Sequence, residues 1–423
     1  MSAAAPALTA LRHRNFRLLW IGQVISFSGS MMQTAAILWH VSLLAPAGQK
    51  GLALGMVGLV RFLPIVLFSM VSGVVADVYD RRRVMLITQS AMAVLATILG
   101  VVAWSGLQSV WPIYLLAGLT AVAGSFDGPS RQALIPNLVP RSDLPNAISL
   151  NTIMFQIAAV VGGPAFAGAM LLGHIAWAYW LNALSFLCVI AALLLMRGVQ
   201  GRGTRDGQER PEMSLRAAVD GLRFVFSQPL IRSSMLLDFF ATFFASANTL
   251  LPIFAQDILI VGAHGYGWLY AAQSAGALVA SAAMVPLVDR IDRRGVVLLW
   301  SVAGFGLATV AFGLTRSFWV MFMCLALTGV TDTVSMVFRN VIRQMETPDH
   351  MRGRMVGVNM VFFMGGPQLG EVEAGLVANA WGAPFSVVTG GIGCVLATAW
   401  IAARTPALRR YRRESSLTTR EAG

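Results

Sequence analysis

Of the 423 residues in the chain, 57% are hydrophobic and only 12% are charged, whereas soluble domains carry about 25% charged residues. Water could not solvate the surface of such a chain, so the composition excludes a soluble globular protein and predicts a membrane protein. The formal net charge of +12 would suit a nucleic-acid partner, but the basic residues are not interleaved with aromatic ones. No nucleic acid is therefore expected.

Apolar stretches of about 20 residues, each long enough to cross the hydrocarbon of a bilayer, account for most of the chain. The sequence predicts an all-α membrane protein with twelve transmembrane helices in two pseudo-symmetric six-helix bundles. The spans are expected near residues 17–44, 52–77, 84–104, 110–136, 144–172, 176–197, 230–258, 265–289, 296–314, 318–345, 353–379 and 382–403.

The Lys and Arg residues fall almost entirely in alternate loops, and only Lys50 and Arg316 lie in the loops of the opposite side. The positive-inside rule therefore places both termini in the cytoplasm. It predicts a multi-pass protein of the plasma membrane, the bacterial inner membrane. The expected partners are the lipid bilayer, whose anionic lipids the basic loops would contact, and a small-molecule substrate. The protein is expected to be a monomer.

The longest polar interval divides the chain. We predict an N-terminal six-helix bundle over 1–197, a cytoplasmic linker over 198–229, a C-terminal six-helix bundle over 230–403 and a basic cytoplasmic tail over 404–423. Within the linker, apolar residues recur at helical spacing, which predicts an amphipathic helix on the inner membrane surface. These residues are Leu215, Val219, Leu222 and Phe226.

A hexad, Asp-x-x-Asp-Arg-Arg, begins at Asp77 and again at Asp289, 212 residues later. Three further groups recur in the same order, which predicts a duplication of six spans. Secondary transporters use such repeats and place the substrate near the midplane between them. The recurring groups are Gly124 to Asp127 with Gly329 to Asp332, Arg131, Pro140 and Asn151 with Arg339, Pro348 and Asn359, and Gly162 to Pro164 with Gly365 to Pro367.

The residues from Gly73 to Arg83 resemble the signature Gly-x-x-x-Asp-Arg-x-Gly-Arg-Arg/Lys of the major facilitator superfamily, although Val78 and Asp80 replace its usual Arg and Gly. The pair Asp80-Arg81 is similar to the branch that contains enterobactin exporters and macrolide-efflux proteins. Segments 14–20, 129–136 and 347–354 also resemble that branch. The resemblance covers essentially the whole chain and implies the superfamily's fold and a transporter.

The hexads are interpreted as cytoplasmic latches. An Asp at a helix end can accept hydrogen bonds from a neighbouring helix N-terminus, and an Arg can bridge it to another carboxylate. The resemblance implies that this carboxylate lies on the fourth span, where Asp127 is the only acid. The alternative is that the arginines only satisfy the positive-inside rule, which we favour for Arg82, Arg83 and Arg294. The predicted latches are Asp77–Arg81–Asp127 and Asp289–Arg293–Asp332, each intact when the transporter faces outward and broken when its cytoplasmic side opens.

A glycine motif in the fifth span, Gly163, Pro164 and Gly168, resembles an antiporter signature of the superfamily. Glycines let helices approach closely, and Pro164 bends the span by removing a hydrogen bond. The motif is therefore expected to pack helices and favours antiport. Ordinary packing of small residues is the alternative.

The charged residues Arg61, Asp238, Glu371 and Glu373 also lie inside predicted spans. A charge at mid-bilayer costs about 2.5–3.5 kcal/mol on insertion scales, which makes these residues candidates for binding substrate or carrying a proton. Asp238 lies about two turns from the cytoplasmic end and could instead form a cap or an ion pair there. Arg61 could form a structural ion pair or snorkel. Glu371 and Glu373 are two residues apart and cannot share a helix face.

The expected function is secondary active transport, namely proton-coupled efflux of a small amphipathic molecule, such as a drug or siderophore, by alternating access. Two alternatives stay open: an importer or facilitator of a small metabolite, and a transport-inactive receptor on the same fold. An enzyme is disfavoured because the five histidines are dispersed and no Gly-x-x-x-x-Gly-Lys-Ser/Thr loop for ATP occurs. No catalytic residue, metal or cofactor is expected, and the proton motive force is the expected energy source.

Overall fold

The computed structural model describes residues 8–46, 48–198, 222–244, 247–288, 290–348 and 351–413. Within these ranges the chain forms helices and no strands. The long helices are α1 (Arg14–Leu44), α2 (Lys50–Val78), α3 (Arg81–Trp104), α4 (Trp111–Leu134), α5 (Leu144–Met170), α6 (Ala176–Leu195), α7 (Pro229–Phe244), α8 (Gly262–Leu287), α9 (Arg294–Leu314), α10 (Phe318–Glu346), α11 (Arg352–Trp381) and α12 (Ala383–Arg404), and the short helix α13 is Pro406–Arg410.

Nine spans in the described residues are long and apolar enough to cross a membrane, and they lie on α2, α3, α5, α6, α8, α9, α10 and α12 and on the segment Pro229–Ile258. The remaining long helices, α1, α4 and α11, carry polar groups that include Gln33, Asp127 and Glu371. Large apolar side chains are exposed along the spans, for example Ile87 and Val285. A bilayer would cover such a surface. Twelve spans and cytoplasmic termini stay a prediction.

The predicted seventh span is less regular than its pattern suggested. After α7 come a 3-10 turn, Ala247–Leu250, a single helical turn, Leu251–Ile253, and a π-helix, Phe254–Ile258. Pro252 has no N–H for an α-helical bond to the residue four positions earlier, which accounts for the break. In the predicted amphipathic helix, residues 222–227 are helical, and its earlier part lies outside the described residues.

The chain forms two compact units. The first comprises Met1–Ala47, Leu59–Gly207 and Val261–Ala271, and the second comprises Gly48–Gly58, Gln208–Ile260 and Ala272–Gly423, as far as these ranges are described. The units largely follow the two predicted bundles, except that the starts of α2 and α8 are each grouped with the other half of the sequence.

The same helix pairs recur within each unit. In the first unit α1 packs against α5 and α6, and α3 packs against α4 and α6. In the second unit α7 packs against α11 and α12, and α9 packs against α10 and α12. Each pair of the second set lies six helices after its counterpart. This recurrence is the packing that a duplicated six-helix unit would produce.

Each unit has its own apolar core. In the first unit the core includes Phe16, Leu19 and Met85, and in the second it includes Phe305 and Phe338, all nearly inaccessible to solvent. These cores fix the helices against each other. They therefore also fix the polar side chains that the same helices carry.

Candidate functional site

The first group of buried polar side chains is the N-terminal charge cluster, which we define as Asp127 and Arg131 of α4 with Thr88 and Gln89 of α3. The Asp127 carboxylate accepts hydrogen bonds from Thr88 Oγ1 at 3.1 Å and from Gln89 Nε2 at 2.9 Å. Arg131 Nε lies 4.0 Å from its other oxygen. Two neutral donors thus hold the carboxylate inside the unit, with one guanidinium at the edge of ion-pair distance.

Two aromatic rings that contact each other lie against the guanidinium of Arg131. Its central carbon lies 4.3 Å from the ring centre of Phe27 on α1 and 5.1 Å from that of Phe155 on α5. Such rings attract a cation through their negative faces. Among the residues that the structure describes, Nε and Nη1 of Arg131 find no hydrogen-bond acceptor. The site is therefore a buried cation with aromatic walls and unused donors.

The second group is the C-terminal charge cluster, which comprises Asp238 of α7 and Asp332, Arg339 and Arg343 of α10. Asp238 lies 2.6 Å from Arg339 Nη1 and 3.4 Å from Arg343 Nη2. Arg339 Nη2 also donates to Asp332 at 3.1 Å. Two acids and two arginines make the cluster neutral. Because Arg339 is only 2% exposed, its charge depends on these carboxylates.

The structure thus shows Asp238 in a buried ion pair, which is one of the alternatives that the sequence left open. It also places Arg131, Arg339 and Arg343 in the buried charge clusters, a position that the sequence analysis did not predict. Arg131 and Arg339 stood out only as markers of the repeat. Arg131 lies four residues after Asp127, which puts both on one helix face, and this spacing could have identified it.

The structure locates two of the three members of the first predicted latch. Arg81 Nη1 donates to the carbonyl oxygen of Ala133 at 2.8 Å, and Asp127 lies at ion-pair distance from Arg131, four residues later on the same face of α4. The backbone of Asp77 belongs to α2, and its side chain lies outside the described part of the chain.

The second predicted latch is likewise described only in part. Asp332 pairs with Arg339, one of its own helix neighbours, and Arg293 is exposed just before α9. Asp289 lies outside the described residues. The second Asp of the first hexad, Asp80, caps the N-terminus of α3. Its side chain accepts hydrogen bonds from the backbone N–H groups of Arg82 and Arg83 at 2.9 and 3.4 Å. The latch role itself stays a prediction.

Glu371 lies where the start of α2 crosses α11. A methyl group on Gly58 would lie 2.6 Å from Glu371 Oε2, and one on Gly375 would lie 2.6 Å from the backbone of Gly51 and Gly55. Only glycines allow this approach. The Glu371 carboxylate is therefore packed into a tight helix crossing.

The other two candidates from the spans lie elsewhere on the same helices. Glu373 is half-buried on α11, two residues beyond Glu371. Arg61 is half-buried on α2, in the part of that helix that belongs to the first unit.

The glycine motif of α5 is only partly a packing motif. A side chain on Gly163 would overlap the carbonyl oxygen of Gly267, and Pro164 lies inside the helix. Gly168 differs from the expectation, because a methyl group there would meet no described atom within 4 Å. Three residues separate Pro164 from Gly168 where the signature has two, and this extra residue rotates Gly168 about 100° away from the face that the signature would use. Close packing therefore rests on Gly163.

The chain is similar to known transport proteins over almost its full length. The sequence profile of the family described as transmembrane secretion effector matches residues 5–421. The multidrug efflux pump Tap of Mycolicibacterium fortuitum is 29% identical over 335 residues, which are 76% of this chain and 79% of that protein. The enterobactin exporter EntS of Citrobacter koseri is 27% identical over 402 residues, which are 95% of this chain and 94% of that protein.

Solved structures share the fold. A bacterial homologue of the human lysosomal transporter Spinster, in an inward-facing and unoccupied conformation, superposes with a TM-score of 0.70 at 15% sequence identity. The match covers 97% of this chain and 99% of that one. At this identity the similarity concerns the fold.

Proposed function

We infer that this chain, which belongs to the transmembrane secretion effector family of the major facilitator superfamily, exports a small amphipathic molecule by proton antiport and alternating access. It is a multi-pass transport protein of the bacterial inner membrane, not an enzyme. The proposal concerns the substrate class, the coupling ion and the transport cycle.

The observation that carries the proposal is the similarity to two exporters across most of both chains. One relative is named for multidrug efflux and the other for enterobactin export. Both names describe outward movement of small molecules, which favours efflux over import for this chain. The same names support a drug or a siderophore as the class of substrate.

Arg131 is the proposed substrate contact. Its guanidinium has donors without an acceptor in the described residues, and it lies against the rings of Phe27 and Phe155. Guanidinium donors suit oxygen acceptors, and the rings suit the apolar part of an amphipathic molecule. One site would thus recognise both parts of such a substrate.

Glu371 is the proposed proton carrier. A carboxylate inside a membrane is costly when charged, so binding of a proton changes the free energy of any contact around it. The contact here is the crossing of α2 and α11 at Gly58. Protonation of Glu371 would therefore be coupled to the packing of these helices, which is the coupling that antiport requires.

The test uses purified protein in liposomes with a pH-sensitive dye inside. We expect proton movement when siderophores, macrolides or lipophilic cations are added, and we expect Glu371→Gln to abolish it. Glu373→Gln is the matched control, because Glu373 is on the same helix but two residues away, on another face. Absence of substrate-linked proton movement in the wild-type protein would reject antiport, and equal loss in both variants would reject Glu371 as the specific carrier.

A further inference from the structure

The chain after α12 folds back onto the start of α9. Leu408 is fully buried and Tyr411 is 4% exposed. The N–H of Gly295 donates to the carbonyl oxygen of Tyr411 at 3.2 Å, and the N–H of Arg413 donates to that of Asp292 at 3.0 Å. A side chain on Gly295 would overlap the carbonyl oxygen of Leu408. The C-terminal segment is therefore docked in a defined position.

Docking brings arginines from two distant parts of the sequence together. Arg293 of the second hexad and three arginines of the docked segment, with Val296, line a cavity of about 410 Å³, which we call the arginine pocket. The described residues that line it include no acid. Burial and the negative charge of nearby Glu346 raise the pKa of Tyr411 to about 12, so its phenol adds no negative charge at neutral pH. The three arginines of the docked segment that line the arginine pocket are Arg409, Arg410 and Arg412.

This concentration of positive charge favours the binding of an anion, because like charges held together repel one another. Guanidinium groups present N–H forks that match the oxygens of a phosphate group. Several guanidiniums around one cavity can contact one phosphate from different sides. The chemistry of the arginine pocket therefore fits a phosphate ester.

The position of the arginine pocket indicates where such a group would come from. α9 begins at Arg294 and α12 ends at Arg404, so the pocket lies at the end of two apolar spans. Trp400, one turn before that end, is exposed, and the guanidinium of Arg404 lies 5.9 Å from its ring centre. Exposed Trp and basic residues at span ends mark the level of lipid headgroups.

We propose that the arginine pocket binds a phosphate group that an anionic phospholipid presents at the membrane surface. A soluble phosphate ester offers the same chemistry. The experiment below separates these two sources. The proposal gives the second hexad a ligand-binding role that is independent of any latch and of the transported substrate.

The test measures lipid retention by the full-length protein. The protein is reconstituted in phosphatidylcholine nanodiscs with increasing phosphatidylglycerol, and the retained lipid is counted by native mass spectrometry after gentle release into detergent. Loss of one guanidinium contact with the bound phosphate changes affinity about fivefold. We therefore expect about a 25-fold loss of phosphatidylglycerol affinity in the double variant Arg409→Gln/Arg410→Gln, and about a fivefold loss in Arg293→Gln.

Two further variants separate the pocket from general surface charge. Gly295→Val keeps every arginine but displaces the docked segment, and it should also lower phosphatidylglycerol affinity severalfold. Arg141→Gln removes an exposed arginine outside the pocket and should stay within about twofold of the wild-type protein. Size-exclusion profiles check that each variant is folded.

Equal losses in Arg141→Gln and in the double variant would overturn the proposal, as would wild-type retention that does not distinguish phosphatidylglycerol from phosphatidylcholine. A third arm adds inorganic phosphate at millimolar concentration. Displacement of the lipid in that arm would assign the arginine pocket to soluble phosphate esters and overturn the lipid source. Unchanged lipid retention would support it.

Discussion

Neutralising Asp238 tests whether the C-terminal charge cluster is one coupled unit. In Asp238→Asn the buried guanidiniums of Arg339 and Arg343 keep only Asp332 as a counter-charge. Removing one partner of a buried ion pair costs about 3–5 kcal/mol, because the charge left behind stays in a low dielectric. We expect the free energy of unfolding to fall by that amount. Asp332→Asn should cost about 1 kcal/mol or less, because its side chain is 39% exposed.

The assay is unfolding in mixed micelles with increasing sodium dodecyl sulfate, followed by the fluorescence of the 11 tryptophans. A double variant, Asp238→Asn/Arg343→Gln, removes one acid and one base and so restores neutrality. Residues in one ion-pair network couple by about 0.5–3 kcal/mol, so the double variant should be more stable than the sum of the single losses predicts. Additive losses, or an Asp238→Asn variant no worse than Asp332→Asn, would refute the reasoning.

Two further predictions concern contacts in the first unit. Gly163→Ala should lower the free energy of unfolding by about 1–3 kcal/mol, because the methyl group would overlap the backbone of α8. The control Gly168→Ala should be nearly neutral in the same assay, and similar values for both variants would contradict the packing. Arg131→Lys keeps the charge but loses the planar group that lies against Phe27 and Phe155. A cation–π contact is worth about 0.5–2 kcal/mol, so its KM for transported substrate should rise about 2- to 30-fold, and an unchanged KM in liposome uptake would remove Arg131 from substrate recognition.

Hydropathy alone located the helices well, because crossing a bilayer requires long apolar runs whatever the tertiary contacts are. The third span was expected at 84–104, and the observed helix is Arg81–Trp104. The ninth span was expected at 296–314, and the observed helix is Arg294–Leu314. The seventh span was predicted less well. Its composition is mostly apolar, but Pro252 has no N–H, and hydropathy does not register the helical hydrogen bond that is lost there.

The partners of the charged residues could not be predicted in the same way. Asp238 and Arg343 are 105 positions apart in the sequence, and nothing in the local pattern of either helix indicates which neighbour it will face. The latch hypothesis took partners from the hexads and stays a prediction, and in the described structure Asp127 and Asp332 each have an arginine of their own helix at ion-pair distance. Helix geometry offers these partners at no cost in chain entropy, so a nearby arginine competes strongly with a distant one.

The two charge clusters carry their arginines on equivalent helices, α4 and α10, but leave them in different electrostatic states. In the second unit two carboxylates lie within ion-pair distance of the Arg339 guanidinium, so that charge is already compensated. In the first unit Asp127 receives neutral donors, and the nearest Arg131 nitrogen lies 4.0 Å away. A ligand oxygen would gain more from Arg131, because interaction with a weakly compensated charge is stronger in a low dielectric. This asymmetry predicts that substrate recognition depends on the N-terminal charge cluster, while the C-terminal charge cluster holds its helices together.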